Sequence, residues 1–245
     1  MSKYHNGVNA ANKKPQPITK SAASLCFFRR LSMTLGRMTK LLLTACADIG
    51  SVTAGNFGWW SSDGQSGLEP STLAASVAAA LNSNRPVALG FECPLFVPLT
   101  EGELELTRAR PGEGSRPWSA GAGCGALTTG LVQVAWVLRA IRASLKSPQV
   151  GYLGWEAFRN AQSGLFIWEA FVSGKSKAST HVADAQAAGE AFIQALPNPS
   201  LINAVVCSTQ VYSLVGAAML RTGWSQSPEV LAEACLVIKV NTDAA

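Results

Sequence analysis

Three carboxylates in this 245-residue chain stand where a carboxylate is costly unless it is paired or bound to a metal. Asp48 closes the apolar run 41–47, and Glu92 closes the apolar run 87–91. Asp184 falls in the first turn of a segment whose packing face is Ala185, Ala188 and Gly189. The ends of neighbouring strands and the start of one helix can meet at a point. Three oxygen donors with no basic residue beside them in sequence suit Mg²⁺ or Mn²⁺. His181 lies three residues before Asp184, on nearly the same side of the helix and near its positive end. Glu169 sits inside the apolar stretch LFIWEAFV at 165–172. Simpler roles compete. Asp48 suits a turn before Ile49-Gly50-Ser51. Asp184 suits a helix dipole, Glu169 suits a structural carboxylate, and His181 suits an ordinary helix start.

These side chains need a scaffold to bring them together. Segment 41–47 is continuous and apolar, so it reads as a buried strand, and 56–62 (NFGWWSS) reads as a second strand in a hairpin with it. The Ala-rich segment 71–81, with Leu73, Val77 and Leu81 at four-residue spacing, predicts a helix that ends at 82–86. Residues 87–91 predict a strand stopped by Pro94. A polar loop spans 98–118 and carries Arg108, Arg110 and Arg116. Leu127, Leu131, Val134, Leu138, Ile141 and Leu145 alternate in steps of four and three, the clearest amphipathic helix in the chain. A strand at 165–172, a helix at 181–196 ended by Pro197 and Pro199, an apolar helix within 201–220 and a strand at 235–240 complete the order. This alternation predicts a single α/β domain with a mixed sheet flanked by helices.

The motifs ADIGSVTAGNFGWW (47–60), ALGFECPLFVP (88–98), FIWEAFVSG (166–174) and HVADAQAAGEAF (181–192), in that order, resemble the ribonuclease H-like superfamily. They are most similar to its predicted-nuclease branch, the DUF429 family. The matching positions are Asp48, Gly50, Gly58 and Trp59, then Glu92, Pro94 and Leu95, then Glu169, Asp184 and Ala185, with Arg108 and Arg110 as a looser match. The chain departs from the pattern in carrying Glu92 where the family has Asp. It also has no acidic residue between 201 and Glu229. The resemblance implies a ribonuclease H-like domain over 39–245 and metal-dependent phosphodiester hydrolysis. Asp48, Glu92 and Asp184 would be ligands to two divalent ions about 4 Å apart. Glu169 would be a fourth ligand or a support to the others, and His181 would orient a ligand or shuttle a proton. The loop arginines Arg108, Arg110 and Arg116 would contact substrate phosphate, in nucleic acid or in a phosphate-containing small molecule.

Composition narrows the alternatives. With 48% apolar and 14% charged residues the chain can bury a core. The net charge of +5 is not spread over the molecule. Residues 1–40 hold eight Lys and Arg with no Asp or Glu, so 1–38 reads as a basic disordered extension. The remainder carries 12 basic and 15 acidic side chains, which argues against tight duplex binding. None of the six cysteines forms a C-x-x-C pair, and only His5 and His181 are available, so a structural zinc is not expected. No G-x-S-x-G elbow supports a hydrolase of the Ser-His type. The uncharged runs 117–138 and 201–220 read as core rather than membrane spans, and 43–46 is too short an apolar lead for a lipoprotein signal. A cytoplasmic protein with free thiols is the resulting expectation. Two other functions stay open. One is an actin-like or sugar-kinase-related ATP-binding protein, since 48–53 resembles that group's first phosphate loop. The other is a non-catalytic binding module on the same fold.

Overall fold

A computed structural model describes residues 41–240 except Ser173. The basic extension expected over 1–38 lies outside the described residues. Strand β1 (Leu43–Asp48) is buried along its whole length and extends one residue past the apolar run, so that Asp48 belongs to the strand. The chain turns through 49–57 into β2 (Gly58–Ser61), which pairs antiparallel with β1, and then into the short β3 (Ser66–Gly67). Helix α1 (Pro70–Asn82) opens with Pro in the first turn, where its missing N–H costs nothing. It crosses over to β4 (Val87–Glu92), which runs parallel to β1. After β5 (Phe96–Pro98) and the polar loop comes α2 (Gly121–Ala143). Then follow β6 (Gly151–Tyr152), α3 (Trp155–Ala161) and β7 (Leu165–Phe171). The chain ends with α4 (His181–Gln194), β8 (Val211–Ser213), α5 (Leu214–Thr222) and β9 (Val237–Lys239).

The main sheet has the order β3-β2-β1-β4-β7-β6, and β9 pairs in parallel with β7 at Glu169–Phe171 beyond the reach of β6. Side chains alternate across the sheet. Leu43, Ala45 and Ala47 of β1 and Val87, Leu89 and Phe91 of β4 pack against Leu73 and Val77 of α1, Val134 and Leu138 of α2 and Met219 of α5. Cys46, Ala88, Phe166 and Trp168 face the other way. They meet Trp155 and Phe158 of α3 and Ala185, Ala188 and Phe192 of α4. Trp168 stacks on Phe192 with ring centroids 4.8 Å apart. The mixed sheet covered by helices on both faces is the expected α/β architecture. Of the four tryptophans that read as core rather than as a base-stacking platform, Trp59, Trp155 and Trp168 are buried, and Trp60 is half-buried against the α4 side of the core.

Two expectations need correction. The uncharged run 201–220 is not one core helix, because its polar residues are used to interrupt it. The Asn203 side chain accepts hydrogen bonds from the backbone of Val205 and Val237, tying this segment to β9. Ser213 caps α5 by accepting from Gly216 N–H at 3.1 Å. Between them β8 pairs antiparallel with β5 in a second, two-stranded sheet. The second correction is α3, a helix of seven residues in a region where the sequence predicts no element. Only Trp155 and Phe158 of that helix are buried, too few positions to display a period. Among the described residues, α2 alone is long and apolar enough to cross a membrane. It packs here against α1, α5 and β4.

Helix α4 approaches β2 closely enough that only glycine fits at the contact. A Cβ on Gly58 would lie 2.5 Å from the backbone of His181 and Val182, and one on Gly189 would lie 2.6 Å from the Trp60 ring. Backbone cannot swing aside as a side chain can. Gly58→Ala is therefore expected to push the first turn of α4 off the sheet and cost about 1–3 kcal/mol, read from urea unfolding. An unchanged unfolding midpoint would show that the helix start is not held there.

Candidate metal centre

The register of the sheet assembles the site. Asp48 is the partner of Glu92 across the parallel β1–β4 pair, so both carboxylates leave the carboxyl ends of adjacent strands on the face that carries α4. Crevices at this end of parallel strands are where open α/β sheets bind ligands. Helix α4 supplies the rest. Thr180 caps it, its hydroxyl accepting from Ala183 N–H at 3.2 Å, and this sets the first turn that holds His181 and Asp184. Ala188 and Gly189 let that turn come down onto the sheet. Asp48, Glu92 and Asp184 thus each offer one oxygen, and these oxygens lie within 4.8 Å of one another. The three side chains expected to converge do converge.

Their remaining contacts define the electrostatics. Asp48 Oδ2 meets His181 Nδ1 at 2.5 Å. Asp184 Oδ1 accepts from Ala178 N–H at 2.6 Å. Lys177 Nζ lies 3.3 Å from both Glu92 Oε1 and Asp184 Oδ2. Glu92 Oε2 is buried and has no partner. Burial and the neighbouring Asp48 charge drive the Glu92 carboxyl from 4.5 up to about 9, with Lys177 opposing. Burial works against the Lys177 ammonium, but Glu92, Asp48 and Asp184 more than compensate and raise it. Burial also pushes the Cys46 thiol well up, with Glu92 and Asp48 adding to it, so Cys46 beneath the cluster is no nucleophile.

Glu92 then makes the metal-free fold pH-sensitive. The folded state keeps a proton that the unfolded chain releases near 4.5. The stabilisation is complete below that value and is lost as pH rises through about 9. Glu92→Gln removes this dependence. In chelator at pH 8 the variant is expected to be more stable than wild type by several kcal/mol, up to about 5 kcal/mol. Near pH 4.5 the two should unfold together. A variant that is less stable at pH 8 would contradict a protonated Glu92.

Glu169 does not join the cluster. Arg110 grips it through two donors, Nη1 to Oε2 at 2.9 Å and Nη2 to Oε1 at 2.5 Å, and Leu95 N–H donates to Oε2 as well. Arg110 also bonds Glu113 through Nε at 2.8 Å and donates Nη1–H to the Phe96 carbonyl. This corrects two expectations together: Glu169 is not a ligand, and Arg110 is not a phosphate contact. Both are spent on one buried ion-pair network. The reason is parity. Glu169 pairs with Phe91, one position before Glu92, and so projects from the opposite face of the sheet. Arg108 is exposed and pairs with Glu105 at 2.7 Å. Arg110 and Arg116 both line the cavity beside the cluster, but the Arg110 guanidinium is committed to Glu169 and Glu113, which leaves Arg116 as the arginine of the three that is exposed there. That cavity has a volume of about 270 Å³, and its walls include Asp48, Glu92, His181, Lys177 and the start of α2 at Gly123. Lys177 and Glu113 escaped the sequence reading. The only sign of Lys177 is a basic residue in a turn seven places before Asp184.

Compared with family models, with curated proteins and with solved structures, the chain matches none.

Proposed function

We propose that Asp48, Glu92 and Asp184 hold a divalent, oxygen-seeking cation, Mg²⁺ or Mn²⁺, and that the protein is a metal-dependent phosphodiester hydrolase of ribonuclease H-like kind. One observation carries the reading. Asp48, Glu92 and Asp184 bring one oxygen each within 4.8 Å of the others, Asp48 and Glu92 line a cavity, and one buried Glu92 oxygen has no hydrogen-bond partner. A buried polar oxygen without a partner is costly, and a hard cation among all-oxygen donors satisfies it. The order Asp48, Gly58-Trp59 on the neighbouring antiparallel strand, then Glu92 and Pro94 after the parallel strand, adds the support of the resemblance.

A bound divalent ion would lower the pKa of a coordinated water and take up charge on the phosphate. The chain supplies the remainder. Asp48 accepts at His181 Nδ1 and so leaves Nε2 as the imidazole's proton acceptor in the cavity wall. Arg116 adds positive charge for a phosphate group at the same cavity. The substrate is nucleic acid or a phosphate-containing small molecule.

A second reading has its own observation. Lys177 and His181 already place cationic or proton-donating groups on all three carboxylates, as a non-catalytic module would require. The two readings part in one assay. Hydrolysis of bis(p-nitrophenyl) phosphate and of short single-stranded DNA and RNA is measured with Mn²⁺ and with chelator. Turnover that needs Mn²⁺ is expected. Saturable Mn²⁺ binding without turnover on any of these substrates would move the protein to the non-catalytic reading.

A further inference from the structure

Lys177 stands where an incoming cation must go. Its ammonium bridges Glu92 Oε1 and Asp184 Oδ2 at 3.3 Å each, longer than a tight charge-assisted contact. Its side chain is 46% exposed, although the carboxylates it touches are 11% and 4% exposed. The backbone beside it is fixed, because Ala178 N–H donates to Asp184 Oδ1 at 2.6 Å. A flexible four-carbon stem therefore carries a mobile charge from an anchored turn into the cluster. An ion coordinated by these same carboxylates would share oxygens with the ammonium, and two cations on shared oxygens repel.

We propose that Lys177 is a resident cation which bridges Glu92 and Asp184 when the centre is empty, and which a divalent ion must displace. The inference rests on the metal reading above. It makes Lys177 a tuning residue: the charge that stabilises the empty site weakens its affinity for metal. Because the side chain reaches solvent, neutralising it, as acylation of the amine would, raises that affinity.

Mn²⁺ is titrated by calorimetry into the full-length wild type, Lys177→Met, Lys177→Gln and Lys177→Arg. Thermal unfolding in chelator is recorded beside it. Both neutral variants are expected to bind Mn²⁺ at least tenfold more tightly than wild type and to melt lower without metal. Lys177→Arg, which keeps the charge, should bind no more tightly than wild type. Two neutral variants of different polarity keep the test open should one of them fold poorly. Equal Mn²⁺ affinity in all four proteins would overturn the role of Lys177 and leave the metal site standing. Absence of binding in all four would overturn the metal reading and this inference with it. Binding by the neutral variants alone would support the competition directly.

Discussion

Asp48→Asn is expected to lower Mn²⁺ affinity by about a hundredfold or more. The substitution keeps the size of the side chain but replaces an anionic oxygen donor by a neutral amide, which hard cations bind poorly. It also leaves a single, uncharged oxygen to serve both the ion and His181 Nδ1. Losing even an outer partner of a metal ligand commonly costs about 10–100-fold, and Asp48 would be both a ligand and the anchor of His181. The loss will not come from unfolding. Asp48 is a main cause of the raised Glu92 carboxyl, so removing its charge relieves repulsion between two carboxylates paired across β1 and β4. The metal-free variant should melt at or above wild type. Glu190→Gln, on the solvent side of α4 where Glu190 bonds Gln186, is the control that should bind Mn²⁺ normally. Calorimetry showing wild-type affinity for Asp48→Asn would remove the triad as a metal site.

Arg110→Met should destabilise the fold by about 3–5 kcal/mol. Arg110 and the two carboxylates it serves are almost wholly buried, with side-chain exposures of 1% for the arginine and 2% for Glu169 and Glu113. Deleting the guanidinium leaves two anions in the interior with no counter-charge. That is far worse than never having had the ion pairs. It also frees the loop, since Arg110 donates to the Phe96 carbonyl and Glu113 accepts from Arg110 N–H and Trp118 N–H. Arg110→Lys is expected to recover little, because a point charge cannot reproduce the two-pronged grip on Glu169. The triple variant Arg110→Met, Glu113→Gln, Glu169→Gln should recover a large share, because no charge is then buried. Urea unfolding of the three proteins measures this. A single Arg110→Met variant within about 1 kcal/mol of wild type would mean the network is not what holds the loop down.

The two networks also divide the acidic residues of the sheet by role. Asp48 and Glu92 face α4, where one cavity wall is open to a ligand. Glu169 leaves the opposite face of the sheet, and although it lines the same cavity, Arg110 already neutralises it there. The loop is thus a structural strap built around a buried arginine, and it contributes Arg110, Glu113 and the exposed Arg116 to the cavity wall.

Much of this was legible in the chain itself. Continuous apolar runs marked β1, β4 and β7, because strands buried on both faces carry no polar alternation. Carboxylates at the ends of two such runs, and one in the first turn of a helix with small packing residues, identified Asp48, Glu92 and Asp184. The same property hid the rest. In LFIWEAFV both faces are apolar, so nothing in the segment tells which side Glu169 takes. Only the pairing of Glu169 with Phe91 decides that, and a shift of one residue would have put it beside Glu92. Arg110 is 59 residues from Glu169, and Lys177 meets Glu92 across 85 positions; neither partnership has a local signature. Residue type and run length, which act locally, placed the candidate ligands. Strand register and the packing of α4 on β2, which depend on distant parts of the chain, decided which carboxylates share a centre and which cations answer them.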